Sequence, residues 1–153
     1  EANLLFSSEG DPDSRFVFRR QIGERIQALA PFLYLPEAPY PVMFDGRIVW
    51  VVEGFTLSNF FPLSRSHQIP GQRSVNYLRN SVKATVDAVT GEVLLYIADP
   101  GDPILEAYRR GFPSLFRGLE QMPEALQRHL RYSRYFLEAQ TAVLTRYHWV
   151  PLT

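Results

Sequence analysis

Cysteine is absent from the sequence. That excludes a disulfide framework, a thiol nucleophile and a thiolate metal site, and leaves the redox compartment unmarked. Net charge is absent too: 16 basic and 16 acidic residues cancel, so no overall field draws the chain to nucleic acid, and no basic stripe interleaved with aromatics replaces it. Long apolar runs are missing, the longest, such as Ile48 to Val52, falling far short of the roughly 20 residues a membrane-crossing helix needs. Lysine is almost missing, since Lys83 is the one lysine and every other basic residue is arginine; such a bias follows genomic base composition more often than carboxylate or phosphate recognition. The chain starts at Glu1, with neither an initiator methionine nor a signal-peptide pattern. We therefore read residues 1–153 as a single soluble domain excised from a larger protein.

What is present is a globular composition. Of 153 residues, 46% are apolar and 14% aromatic, enough for one domain with a core. Asp11-Pro12-Asp13 offers a side-chain acceptor, a proline where no amide donor is needed, and negative charge at the positive end of a helix dipole. A helix is predicted from Pro12 to Ala30, with Phe18, Ile22, Ile26 and Leu29 forming its apolar stripe before Pro31 and Pro36 stop it. Next, Val42 to Phe44 and Arg47 to Leu57 flank Asp45-Gly46, a dipeptide suited to a two-residue hairpin turn. A second hairpin is predicted from the alternation of Val82, Ala84 and Val86 with Lys83, Thr85 and Asp87, followed by Thr90-Gly91 and Val93 to Ala98.

Beyond Asp99 the period becomes helical. Asp102-Pro103 starts a short helix ended by Gly111 and Pro113, Pro123 starts another through Leu130, and Ser133 caps a last one with a stripe of Phe136, Ala139, Gln140, Val143, Leu144 and Tyr147. The fold class is α+β: a four-stranded antiparallel sheet from two β-hairpins, covered on one face by the N-terminal helix and several C-terminal helices. One segment breaks the pattern. Ser58 to Ser81 joins the hairpins without a clear period, although connections commonly take about 4 to 6 residues. Its Phe60, Phe61, Leu63, Ile69, Val75, Tyr77 and Leu78 need a surface to cover, so it is expected to fold over one end of the sheet.

Chemistry is sparse. His67, His129 and His148 have no second histidine at a ligand spacing, so no metal site is predicted; His148 reads as a cation near a helix C-terminus. His67 sits among Ser64, Arg65 and Ser66, but no nucleophile elbow or positioned base accompanies it. Asp99 and Asp102 lack the later glutamate of a calcium loop, and helix capping explains Asp102. Turn chemistry explains Asp45, and a solvent-facing strand position Asp87. No catalytic residue and no cofactor is assigned. The densest polar cluster is Asn76, Tyr77, Arg79, Asn80, Ser81 and Lys83, where amides, a phenol and cations crowd the approach to the second hairpin. Asn76, Tyr77, Arg79, Asn80 and Lys83, with His67, are the candidate binding residues, set against the plainer reading that such groups satisfy backbone where loop meets strand.

The order of motifs carries a resemblance. Pro39-Tyr40-Pro41-Val42 and Asp45-Gly46-Arg47 precede Asn76-Tyr77-Leu78-Arg79-Asn80-Ser81-Val82-Lys83-Ala84, Val86-Asp87-Ala88 and Gly91. Asp102-Pro103-Ile104-Leu105, Phe112-Pro113, Leu115-Phe116, His129-Leu130-Arg131-Tyr132 and Arg146-Tyr147-His148 follow. Over nearly the whole chain these closely resemble the soluble part of a family of bacterial multi-spanning membrane proteins, uncharacterised protein family 0182. Phe60-Phe61-Pro62 departs from the more polar, tyrosine-bearing stretch expected there. The resemblance implies a parent in the cell membrane with spanning helices ahead of this segment, and an extracytoplasmic place for the segment itself; it implies no reaction. A weaker similarity is that of Val86-Asp87-Ala88 through Thr90-Gly91-Glu92-Val93 to the hairpin of PepSY-type domains, extracytoplasmic modules associated with peptidase regulation.

Two readings follow. In the first, the chain is a non-catalytic interaction or structural domain whose sheet end and Ser58 to Ser81 segment dock onto the membrane-embedded part of the same protein or onto an envelope protein. In the second, it is a small-ligand-binding or hydrolytic domain with Asn76, Tyr77, Arg79, Asn80 and His67 converging on a pocket.

Overall fold

The computed structural model describes residues 12–147, with side chains described except at 12–20, 73 and 145–147. Helix α1 (Pro12–Leu29) leads into strands β1 (Tyr40–Phe44) and β2 (Arg47–Ser58), a small hairpin of β3 (His67–Ile69) and β4 (Gln72–Val75), then β5 (Tyr77–Asp87) and β6 (Val93–Ile97). Helix α2 (Pro103–Gly111), strand β7 (Phe116–Gly118), a 3-10 turn Leu119–Gln121 and helices α3 (Glu124–Gln127) and α4 (Arg134–Tyr147) complete it.

Both predicted hairpins form. Asp45 and Gly46 adopt φ of 49° and 69°, the paired left-handed residues whose twist suits a tight antiparallel turn, and β1 pairs with β2 from Tyr40 opposite Val51 to Phe44 opposite Arg47. The second hairpin joins β5 to β6. The expected four-stranded antiparallel sheet needs correction, because the sheet is five-stranded and mixed, in the order β1-β2-β5-β6-β7. The fifth strand is β7, parallel to β6, with Phe116 opposite Leu95. Helix α2 makes the crossover that a parallel pair requires. Only three residues long, β7 is too short for strand alternation to show in sequence.

A second correction concerns coverage. Six consecutive residues are buried in β2, Val51 to Thr56, and six in β5, Ser81 to Val86. Successive strand residues point to opposite faces, so both faces are covered. On one, Val52, Val82, Ala84, Val86 and Leu95 pack with Ile22 and Ile26 of α1 and Leu105 of α2. On the other, Val49, Val51 and Tyr96 pack with Met122 and Leu126 beside α3, and Phe55 packs with Tyr135 and Ala139 of α4. Gly54 permits the first packing, since a Cβ there would lie 3.2 Å from the Val82 Cβ and 3.3 Å from a Leu33 methyl.

Smaller differences have local causes. In α1, Ile22 and Ile26 are buried as the stripe predicts, but Leu29 is 46% exposed and Ala30 takes the inward place; Phe18 lies among residues whose side chains are not described. Helix α3 ends at Gln127 rather than Leu130. Ser133 does cap α4, its Oγ accepting from the Phe136 amide at 3.0 Å, and Glu37 assists from across the fold, its Oε1 accepting from Ser133 Oγ at 2.7 Å and from the Tyr135 amide at 2.5 Å. The long connection is less irregular than its sequence: β2 and β5 extend into it, β3 and β4 form a two-stranded sheet, and Ile69 and Val75 join Phe55 and Tyr135 in a core cluster. Ile69 and Val75 thus cover the sheet at Phe55 as expected, but Phe60 and Leu63, expected to be covered too, stay exposed.

Candidate functional site

The β2–β5 pairing carries a bulge. Gly54 lies opposite Val82 and Phe55 opposite Asn80, leaving Ser81 as the extra residue. A bulge re-aims a side chain and disturbs the ladder, and two polar clusters grow from this point.

The first cluster surrounds Asp102, the N-cap of α2, which is 1% exposed. Its Oδ2 accepts from Thr56 Oγ1 and Ser81 Oγ, each at 2.5 Å, and its Oδ1 accepts from Tyr77 Oη at 2.6 Å and the Ile104 amide at 2.9 Å. Both hydroxyl hydrogens thus go to the carboxylate, so the 3.0 Å approach of Thr56 and Ser81 oxygens is a contact between acceptors. Burial by itself pushes the Asp102 carboxyl up, but the bonds from Ser81, Thr56, Tyr77 and Ile104 together outweigh it and hold the pKa below the ordinary value. The Tyr77 phenol is pushed up from its ordinary value, first by burial and then by its bond to Asp102. Arg79 donates to Asp99 Oδ2 at 2.8 Å, and that bond raises its pKa further.

The second cluster centres on Glu53, 2% exposed, which pairs with Lys83 directly opposite on β5. Lys83 Nζ and Asn80 Nδ2 both donate to Glu53 Oε2, the latter at 2.7 Å. Glu53 Oε1 and Asn80 Oδ1 are buried without a hydrogen-bond partner. This ion pair separates the two apolar clusters of its face, with Val51 and Tyr96 on one side and Phe55 on the other.

The sequence-predicted residues are only partly brought together: His67, Asn76 and Tyr77 border one groove, while Arg79, Asn80 and Lys83 are held elsewhere. Tyr77 belongs to the Asp102 cluster and Arg79 to Asp99, while Asn80 and Lys83 belong to Glu53. Asn76 holds the loop before it: its Oδ1 accepts from the Phe61 amide at 3.0 Å, and its Nδ2 donates to the carbonyls of Phe61 at 2.8 Å and Ser64 at 3.3 Å. His67 lies in β3 opposite Val75. His129 Nδ1 is 2.7 Å from the Ala125 carbonyl, and His148 lies outside the described residues. Asp87 is not a plain solvent-facing strand residue; it accepts from the Thr90 amide at 2.8 Å and the Val89 amide at 2.7 Å, and these bonds lower its pKa.

Glu53 escaped the sequence reading, because it sits at a strand position that reads as solvent-facing. Its signal was Lys83, the one lysine, in the middle of a facing strand. A second feature missed is a groove of about 580 Å³ between the β3–β4 hairpin and α4, walled by Ile69, Val75, Leu78, Phe136, Val143 and Leu144, with His67, Asn76, Tyr77 and Gln140 as its polar members. No Asp, Glu, Lys or Arg is among its described lining residues. Its apolar members were visible singly in the sequence, whereas their meeting depends on where α4 lands.

The architecture is α+β, with a mixed sheet enclosed on both faces, internally hydrogen-bonded polar clusters and a groove at a sheet end whose described lining carries no Asp, Glu, Lys or Arg. Residues 1–151 match Uncharacterised protein family (UPF0182), and the chain belongs to that family. It is 44% identical over 146 residues to a UPF0182 protein of Pelobacter propionicus, and 44% identical over 149 residues to one of Solibacter usitatus. A UPF0182 protein of Clostridium perfringens is 42% identical over 145 residues. These alignments cover 95%, 97% and 95% of this chain but only 16%, 16% and 15% of the relatives, so the sequence spans about a sixth of the proteins it matches. No solved structure matches. No described helix is long and apolar enough to cross a membrane.

Proposed function

We propose that this segment is a non-catalytic interaction or structural domain of a larger multi-pass membrane protein, that it stands on the extracytoplasmic side, and that it docks onto the membrane-embedded part of the same protein or onto an envelope protein. The observation that carries the reading is the contrast of charge and shape: the charged candidates Arg79 and Lys83 are paired with other residues of the chain, while the groove is wide and its described lining holds no Asp, Glu, Lys or Arg. Interaction surfaces are depleted in charge at their centres and enriched in aromatic and apolar side chains. The membrane address rests on the family resemblance alone. A ligand or hydrolytic site built from Asn76, Tyr77, Arg79, Asn80 and His67 is the second reading: Asn76, Tyr77 and His67 border the groove, but Arg79 and Asn80 bond to Asp99 and Glu53 instead, which favours the interaction reading.

Topology is testable because the segment has no cysteine of its own. A cysteine introduced at the exposed Glu124 in the full-length protein is expected to react with a membrane-impermeant maleimide in intact cells above the level of the protein without it. Labelling only after lysis would refute the extracytoplasmic placement. Docking is tested by cross-linking in intact membranes from probes spread over the whole domain. Contacts concentrated on one surface are expected, and contacts evenly distributed would count against a docking role.

A further inference from the structure

We infer that the uncharged groove and the tip of the loop preceding it form one continuous docking surface, and that its occupant is an uncharged apolar segment of the same polypeptide outside these 153 residues. This rests on the interaction reading above and names its surface and partner.

Continuity comes from two residues. Tyr77 lines the groove and stacks on Phe61, ring centroids 4.3 Å apart and planes 22° from parallel. Asn76 also lines the groove and holds the backbone of Phe61 and Ser64. The tip fixed in this way presents Phe60, 87% exposed, and Leu63, fully exposed with φ of 59°. A leucine in the left-handed region is an unfavourable conformer that persists only where its surroundings impose it. On the far wall, Leu144 is 58% exposed. Large apolar side chains held open on a pinned loop beside an apolar groove make a contiguous patch of the kind that marks a protein contact.

The chemistry selects the occupant. None of the described lining residues is Asp, Glu, Lys or Arg, so among them a charge brought into the groove would lose its hydration without a counter-charge, which is strongly unfavourable. Gln140 supplies the polar specificity: its Oε1 accepts from Tyr132 at 3.1 Å, leaving its amide hydrogens to meet one carbonyl or hydroxyl of the occupant. The size and apolar walls suit the side chains along one face of a helix or strand. The source follows from the proportions of the family, since about five sixths of each relative lies outside the matched segment. A covalently attached segment meets the groove at an effective concentration that a separate protein does not match.

The test uses the full-length protein in membranes, with a photo-cross-linking amino acid at Leu144, at Leu63 or, as a control on another surface, at Glu124. Cross-links from Leu144 and Leu63 to peptides of the same polypeptide outside this segment, several-fold above the Glu124 yield, are expected. Leu144→Arg in the Leu63-probe protein should bring that yield down to the control level. Adducts to a different protein, to a second copy or to lipid would overturn the inference and leave the domain's interaction role standing. Leu63 and Leu144 yields equal to Glu124, with another surface high, would overturn it in the same way. No site above background anywhere would overturn both readings.

Discussion

Along β5, Arg79, Asn80 and Lys83 each reach a partner within the chain, whereas the groove that Asn76 and Tyr77 border leaves Leu144 exposed. The richer chemistry belongs to the architecture, and the plainer surface is the one left for a partner. Within the polar region there is a further contrast. Asp102 accepts four bonds, while Glu53 gathers two donors on one oxygen and leaves the other bare. A saturated buried carboxylate rigidifies its surroundings, but a half-satisfied one retains part of its desolvation cost.

The largest expected effect breaks the half-satisfied pair. Lys83→Ala strands the Glu53 carboxylate in the sheet and should lower unfolding free energy by about 3 to 5 kcal/mol, read by urea denaturation. Glu53→Leu combined with Lys83→Met should recover most of that loss, because a buried pair replaced by packed apolar groups is often neutral or better. A loss below about 1 kcal/mol from the single change would mean that the pair is not buried in solution.

Next in size is Asp102→Ala. It leaves the Thr56 and Ser81 hydroxyls without their acceptor and removes the cap of α2, at a cost of about 3 kcal/mol. The same group sets an acid dependence. Its folded pKa lies below the ordinary carboxylate value, so its contribution is complete above the unfolded pKa of about 3.9 and is lost as pH falls through the folded value. Asp102→Asn should flatten the stability profile below about pH 4; an unchanged slope there would assign the acid dependence elsewhere, Asp87 and Glu106 being the other described carboxylates whose pKa is lowered by their bonds.

The smallest expected effect lies in the groove. Leu144→Gln alters an exposed side chain and should move stability by no more than about 0.5 kcal/mol, while weakening association of the domain with the rest of its protein. Equal loss of stability from Leu144→Gln and Asp102→Ala would erase the distinction between the two regions.

Much of the fold was legible because its signals are local. Asp45-Gly46, Thr90-Gly91, Asp102-Pro103 and Ser133 each mark a turn or cap by chemistry within a few residues. The parallel pairing of Phe116 with Leu95 was not, since it depends on a crossover that brings distant segments together. Nor was the burial of Lys83 and Thr85: alternation along β5 suggested a wet face, and only the placement of α3 and α4 closes it. The polar cluster was visible as a cluster, but strand register and the bulge at Ser81 decide that its members diverge. The groove needs α4 set against β3, a relation between segments some 65 residues apart in the Tyr135 to Pro70 hydrogen bond.

The most direct measurement is amide hydrogen exchange on the full-length protein in membranes, unmodified and carrying Leu144→Arg. A docked groove predicts faster exchange with the arginine in β3, β4, α4 and one segment outside these residues, while β2, β5 and β6 keep their protection. Identical exchange throughout both proteins would contradict it.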